Sequence, residues 1–122
     1  MLDDSEVVRR LIRINLELEG FDVIEACDAR EGLALLGSAA PQGSPPDVVT
    51  LDLMLPDGPD GYAVLRRIRS DPALSATRVV VVTAAAQDED VRRGAAAGAD
   101  AYITKPFEPQ ELVDTVRRLA AR

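Results

Sequence analysis

The chain has 122 residues and a mass of 13.1 kDa, with 47% apolar and 29% charged residues. These are the proportions of a single domain over 1–122 that buries roughly 65% of its unfolded surface. One cysteine, Cys27, excludes an internal disulfide, and the absence of histidine removes the commonest general base, His-ligated metals and every Ser-His or Cys-His nucleophile pair. A net charge of −7, with only Phe21, Tyr62, Tyr102 and Phe107 aromatic, argues against nucleic acid as a direct partner and against anionic lipid. No apolar run approaches a membrane span and the acidic start is no signal peptide, so a soluble cytoplasmic protein is expected.

In chain order, β-branched runs alternate with helix-period segments, the pattern of an α/β domain with a parallel sheet. Only Met1 and Leu2 precede the first acidic pair, where a fold of this kind should open with a strand of about five residues. The first helix is expected over about Glu6–Glu19, capped by Ser5, with Val7, Leu11, Ile14 and Leu18 as its apolar stripe and Gly20 as its stop. A strand follows at Asp22–Ala26. The second helix opens with the capping-box-like pair Asp28 and Glu31 and ends before Gly37, and residues 37–46 read as a loop. Asp47–Asp52 and Arg78–Thr83 are near-continuous apolar runs, as expected of central strands covered on both faces. Between them a third helix is expected at Gly61–Ser70. A fourth at about Gln87–Ala97 precedes a strand at Ala101–Thr104. The last helix begins at Pro109 and buries Leu112, Val116 and Leu119.

Asp52 closes an apolar strand at the carboxyl edge of the sheet, where ligands of open α/β folds bind. A strand-end aspartate that merely caps its loop is the simpler alternative. If the segment before the first helix pairs beside Asp47–Asp52, Asp3 and Asp4 reach the same edge, and three converging carboxylates call for a cation such as Mg²⁺. The acidic pair by itself also fits a solvated helix start. Lys105 is the only lysine among fourteen basic residues, which fits a need for a compact ammonium at a phosphate site, although chance gives the same count. Pro106 makes Lys105–Pro106 a candidate cis bond. Thr83 ends its strand at the same edge, where its hydroxyl could donate to an anionic oxygen or simply serve the loop.

Taken together, Asp3-Asp4, Asp52 in LDLMLP, Thr83-Ala84, and Tyr102 with Lys105-Pro106-Phe107 in YITKPF resemble the receiver domains of two-component response regulators, over nearly the whole chain. The resemblance implies a flavodoxin-like, doubly wound (βα)5 sandwich with a parallel sheet of order 2-1-3-4-5, its first strand here truncated. It implies Asp52 as phospho-acceptor and Asp3, Asp4, Asp52 and the Met54 carbonyl as the Mg²⁺ site. Lys105 would pair with the phosphoryl group, Thr83 would be the hydroxyl switch, and Tyr102 the aromatic that follows it. Signalling would then shift the face formed by the fourth helix, the last strand and the fifth helix. The loop LPDGPDGY is one residue longer than the family's usual loop. The short first strand raises the prospect of a gap filled by another segment, including strand exchange with a second copy.

The phosphoryl source must be external, and the resemblance implies a histidine kinase or histidine phosphotransfer protein, with a downstream output protein or domain. Arg9, Arg10 and Arg13 could help to dock the kinase or could be a solvated face. Arg92, Arg93, Arg117 and Arg118 lie where receivers dimerise, with the same bland alternative. Cys27 is expected to be a small buried hydrophobe. The chain is expected to be no enzyme beyond its own phosphorylation and dephosphorylation. Its main rival reading is an unphosphorylated pseudo-receiver acting through protein contacts. An aspartate-nucleophile phosphatase would want a second aspartate where Met54 stands, a flavodoxin would want a Ser/Thr/Gly-rich first loop, and no P-loop is present. Met54 and Ala85, neither able to orient a water, lead to the expectation of a long-lived phosphoryl group.

Overall fold

A computed structural model describes residues 1–3, 5–39, 45–54, 61–84 and 87–121. The helices are α1 (Glu6–Leu18), α2 (Ala29–Ala39), α3 (Gly61–Ser70), α4 (Asp88–Ala96) and α5 (Pro109–Ala120), and the strands are β1 (Val48–Leu51), β2 (Arg78–Thr83) and β3 (Ala101–Thr104). All three strands run parallel in the order β1-β2-β3. Along β2 the valines alternate between two apolar layers, which is why its sequence is an unbroken apolar run. Val80 and Val82 pack with Ile12 and Leu16 of α1 and Leu112, Val116 and Leu119 of α5. Val79 faces Val64, Leu65 and Ile68 of α3 and Leu36 of α2, and Val81 joins Leu53 and Tyr62.

The first strand is reduced to one rung on each side, yet it is present in its expected place. Leu2 bridges Leu51 on one side and Ala26 on the other, both in parallel. Its N–H donates to the Thr50 carbonyl and its carbonyl accepts from Asp52 N–H, while Ala26 N–H donates to the Met1 carbonyl and Asp3 N–H to that of Ala26. The spatial order is therefore Ala26, Leu2, β1, β2, β3, which is the 2-1-3-4-5 order with its first two strands shortened to single rungs. Leu2 is only 3% exposed. Backbone pairing on both sides satisfies the polar groups of this rung.

The expected strand Asp22–Ala26 is corrected to this rung at Ala26, because its partner is too short to pair with more of it. Cys27 is also corrected: it follows the Ala26 rung, on the outermost segment of the sheet, and is exposed rather than buried. Its thiol pKa is raised by local desolvation and by the carboxylates of Glu31 and Asp28. The stripe expected on α1 is also corrected: Val7, Leu11, Ile14 and Leu18 are exposed, and Ile12 and Leu16 are the buried pair. Ser5 caps α1 by accepting from Val8 N–H. Asp28 Oδ1 accepts from Glu31 N–H at the start of α2, a helix that continues through Gly37 to Ala39. The extra loop residue expected in LPDGPDGY falls in 55–60, outside the described residues.

At the amino-terminal edge of the sheet, Arg69 of α3 ties three segments together. Its guanidinium donates to the carbonyls of Gly98 and Thr77 and pairs with Asp100 at 2.7 Å, while Asp100 also accepts from Val79 N–H. Five fixed donors suit arginine to such a junction. This leaves the opposite, carboxyl-terminal edge for the acidic residues.

Candidate functional site

Three sequence-distant side chains meet at the carboxyl edge. The Lys105 ammonium lies 2.8 Å from Asp52 Oδ2 and 2.7 Å from Asp3 Oδ2. Asp52 follows β1 and Asp3 follows the Leu2 rung, so two neighbouring strand ends deliver both carboxylates, which are 5% and 2% exposed. Lys105 follows β3, and the Lys105–Pro106 bond is cis. Lys105 N–H donates to the Thr83 carbonyl at 2.8 Å, fixing the lysine's loop to the end of β2. Burial works against the ammonium, but hydrogen bonding and the charges of Asp3 and Asp52 outweigh it, so its pKa is raised and the lysine is charged at neutral pH.

Each carboxylate has one oxygen tied to the backbone. Asp52 Oδ1 accepts from Met54 N–H at 2.9 Å, and Asp3 Oδ1 accepts from Ser5 N–H at 2.9 Å. Asp3 Oδ2 is buried and has the Lys105 ammonium, at 2.7 Å, as its one partner among the described residues. Two buried carboxylates and an under-satisfied oxygen fit a hard divalent cation such as Mg²⁺, which takes one or two carboxylates and otherwise keeps water or phosphate oxygens. Among the described residues no three His, Cys, Asp or Glu side chains form a metal cluster. Asp4 lies outside the described residues.

Thr83 is fully buried at the end of β2, opposite Thr104 of β3. Tyr102 packs beside Leu53, Tyr62 and Val81. Its phenol pKa is pushed up to about 12 by desolvation, then by Tyr62, Asp90 and Asp52. Gly94 of α4 lies under this ring: a Cβ there would come within 3.0 Å of Tyr102 Cε2. Arg93 lies over the Tyr62 ring at 3.9 Å from its centroid, a cation–π contact.

Two residues of this site were not legible as functional from the sequence. Gly61 begins α3 against the segment that follows β1, where a Cβ would fall 2.3 Å from the Asp52 carbonyl oxygen and 2.5 Å from Leu53 Cα. Only glycine allows that approach. Gly94 leaves room for Tyr102 in the same way. The one signal available was position, a glycine at the first residue of a helix.

The arginines of α1 are committed within the chain. Arg9 donates to the Asp3 carbonyl and pairs with Glu25, Arg10 pairs with Glu6, and Arg13 pairs with Glu17 and Glu25. Arg117 pairs with Glu19 and Asp114. Among the described residues, no helix is long and apolar enough to cross a membrane.

Comparison with known proteins agrees with this geometry. Residues 1–117 match the family described as response regulator receiver domain. Over its full length the chain is 39% identical to the DNA-binding dual master transcriptional regulator RpaA of Synechocystis, covering 48% of that protein. A putative response regulator from Chloroflexus aurantiacus has 33% identity and a TM-score of 0.88, over 99% of this chain and 94% of that one. The response regulator DrrB, an OmpR/PhoB homologue of Thermotoga maritima, has 32% identity and a TM-score of 0.82, over 99% of this chain and 51% of that one. The chain thus spans about half the length of the curated relatives it matches. It belongs to the response regulator receiver domains, the signalling modules of two-component systems.

Proposed function

We propose that this receiver is a phosphorylation switch in which Asp52 accepts a phosphoryl group from a histidine kinase or histidine phosphotransfer protein. The observation that carries the reading is the buried contact of Lys105 with both Asp52 and Asp3. An Asp52 carboxylate oxygen forms the new O–P bond as the donor's N–P bond breaks, and the electron pair returns to the departing imidazole nitrogen. No histidine is needed in the receiver. The Lys105 ammonium then has a new anion to hold beside Asp52, and the Thr83 hydroxyl is the donor proposed to follow it. Tyr102, packed over Gly94, would carry the change to α4, β3 and α5.

Asp3, Asp4, Asp52 and the Met54 carbonyl would hold Mg²⁺, which when bound supplies charge compensation for the phosphoryl oxygens. Kinase docking is better supported by the exposed apolar residues Val7, Leu11, Ile14 and Leu18 than by the α1 arginines, which already have partners. The relatives are transcriptional regulators about twice as long, and an output domain of that kind is the proposed recipient of the signal. The expectation that nucleic acid plays no part finds no support in them, since one is named as DNA-binding. Homodimerisation through α4, β3 and α5 is a further proposal. Against the pseudo-receiver stands the Leu2 rung, which delivers Asp3 to Lys105 despite the short first strand.

Intact mass after incubation with Mg²⁺ and acetyl phosphate tests the reading. One added phosphoryl group is expected, absent in Asp52→Ala and in chelator; an unmodified, folded wild-type chain would leave the pseudo-receiver. The adduct should be long-lived, because neither Met54 nor Ala85 carries a group to position water. Met54→Glu should shorten its half-life several-fold, and a wild-type half-life of seconds would contradict the expectation.

A further inference from the structure

The face of α1 turned away from the sheet carries an apolar seam of its own. Val7, Leu11, Ile14 and Leu18 are 79%, 40%, 52% and 80% exposed, whereas Ile12 and Leu16, on the other side of the helix, hold α1 to the core. Single exposed apolar residues are ordinary, but four in one row form a patch that marks contact with another surface. The steps along the row are four, three and four residues. That alternation is the narrow stripe of a helix that pairs with one other helix, the two core positions of a heptad repeat.

The seam is self-complementary. When two copies of α1 run antiparallel about a two-fold axis level with the gap between Ile12 and Arg13, Leu11 meets the partner's Ile14 and Val7 meets the partner's Leu18, so all four residues find apolar partners. A helix of this length would not pair stably by itself. Here α1 is already folded, capped by Ser5 and anchored by its buried face, so association does not have to meet the cost of helix formation.

Charge fixes the direction of pairing. Arg10 and Glu17 border the seam on one flank, and in the antiparallel arrangement each Arg10 faces the partner's Glu17, which gives two opposite-charge pairs related by the axis. In a parallel arrangement Arg10 would face the uncharged Asn15 instead. Within one chain Arg10 pairs with Glu6 and Glu17 with Arg13, and both of those partners lie farther from the seam on the same flank. Such exposed pairs are weak and leave Arg10 and Glu17 able to take a second partner across the seam.

We propose that the outer face of α1 is a homodimer surface, on which a second copy of this chain seats its own α1 in antiparallel orientation. The interface is small, below about 1,200 Å² in total, so the dimer is weak and reversible. It needs neither phosphate nor metal, and it uses no residue of α4, β3 or α5. Because it covers the residues offered to the kinase under the proposed function, self-association and phosphotransfer compete for one surface.

Sedimentation equilibrium of the unphosphorylated full chain, from about 10 µM to about 1 mM, tests the proposal. The average mass should rise from 13.1 kDa toward twice that value. Arg10→Glu and Glu17→Arg each set like charges face to face, so each variant, shown to be folded by circular dichroism, should associate at least fivefold more weakly than the wild type. An equimolar mixture of the two restores both opposite-charge pairs and should associate as well as the wild type. The double variant Leu11→Ser, Leu18→Ser should remain monomeric. A wild-type mass that stays at 13.1 kDa throughout, leaving the seam to the kinase alone, would overturn the proposal. So would association that the double serine variant does not reduce, or a mixture of the charge variants no stronger than its components.

Discussion

Gly61 ties the end of β1 to α3 through a contact that leaves no room for a methyl group. In Gly61→Ala the new Cβ meets backbone rather than a flexible side chain, so the strand end or the helix must shift. A loss of about 2 kcal/mol in folding stability is expected, read from urea denaturation. Phosphorylation of Asp52 should slow at least tenfold in protein that remains folded. Tyr102 offers a second residue-level check, because its pKa of about 12 stands above the ordinary 10. Between those values the unfolded chain releases the phenol proton while the folded chain keeps it, so this contribution to stability is complete below pH 10 and is lost as pH rises toward 12. Ultraviolet titration should show a phenolate phase near pH 12 that disappears in Tyr102→Phe. If that phase stays near pH 10, the packed position of the ring is wrong.

Among the elements, β2 was legible because a run of four valines suits a strand covered on both faces, and α5 because Leu112, Val116 and Leu119 make one stripe. The buried face of α1 was not. That helix carries apolar residues at 7, 8, 11, 12, 14, 16 and 18, enough for two stripes, and periodicity alone does not say which one the sheet covers. Ile12 and Leu16 are inside, so Val7, Leu11, Ile14 and Leu18 form an exposed apolar surface on α1. Replacing Leu11 and Leu18 by Ser should change stability by no more than about 0.5 kcal/mol each. It should lower the rate of phosphotransfer from the cognate kinase several-fold while leaving acetyl phosphate labelling unchanged. Equal losses with both donors would remove α1 from the docking surface.

For the molecule as a whole, the family and the carboxyl-edge site were legible in the sequence because chemistry-bearing residues fall at strand ends, and strand order carries them to one edge. Asp52, Lys105 and Thr83 could be chosen that way, whereas Tyr102, the second residue of its strand, came only from the resemblance. The role of Leu2 could not, since a one-rung strand has no periodic signal, and it is backbone pairing to both Thr50 and Ala26 that seats it. Cys27 was misjudged because it follows the rung on the outermost segment of the sheet, and a sequence does not say which segment lies at the edge. Gly61 and Gly94 depend on distances between elements, which local sequence does not encode.

The central claim is that phosphorylation occurs at Asp52, in a site to which the Leu2 rung delivers Asp3. Borohydride reduction converts an aspartyl phosphate to homoserine, so the most direct measurement is peptide mapping of the wild-type chain after labelling and reduction. Homoserine is expected at position 52 and at no other position, with none formed when Mg²⁺ is chelated. Homoserine at another aspartate, or none from folded and Mg²⁺-supplied protein, would contradict it.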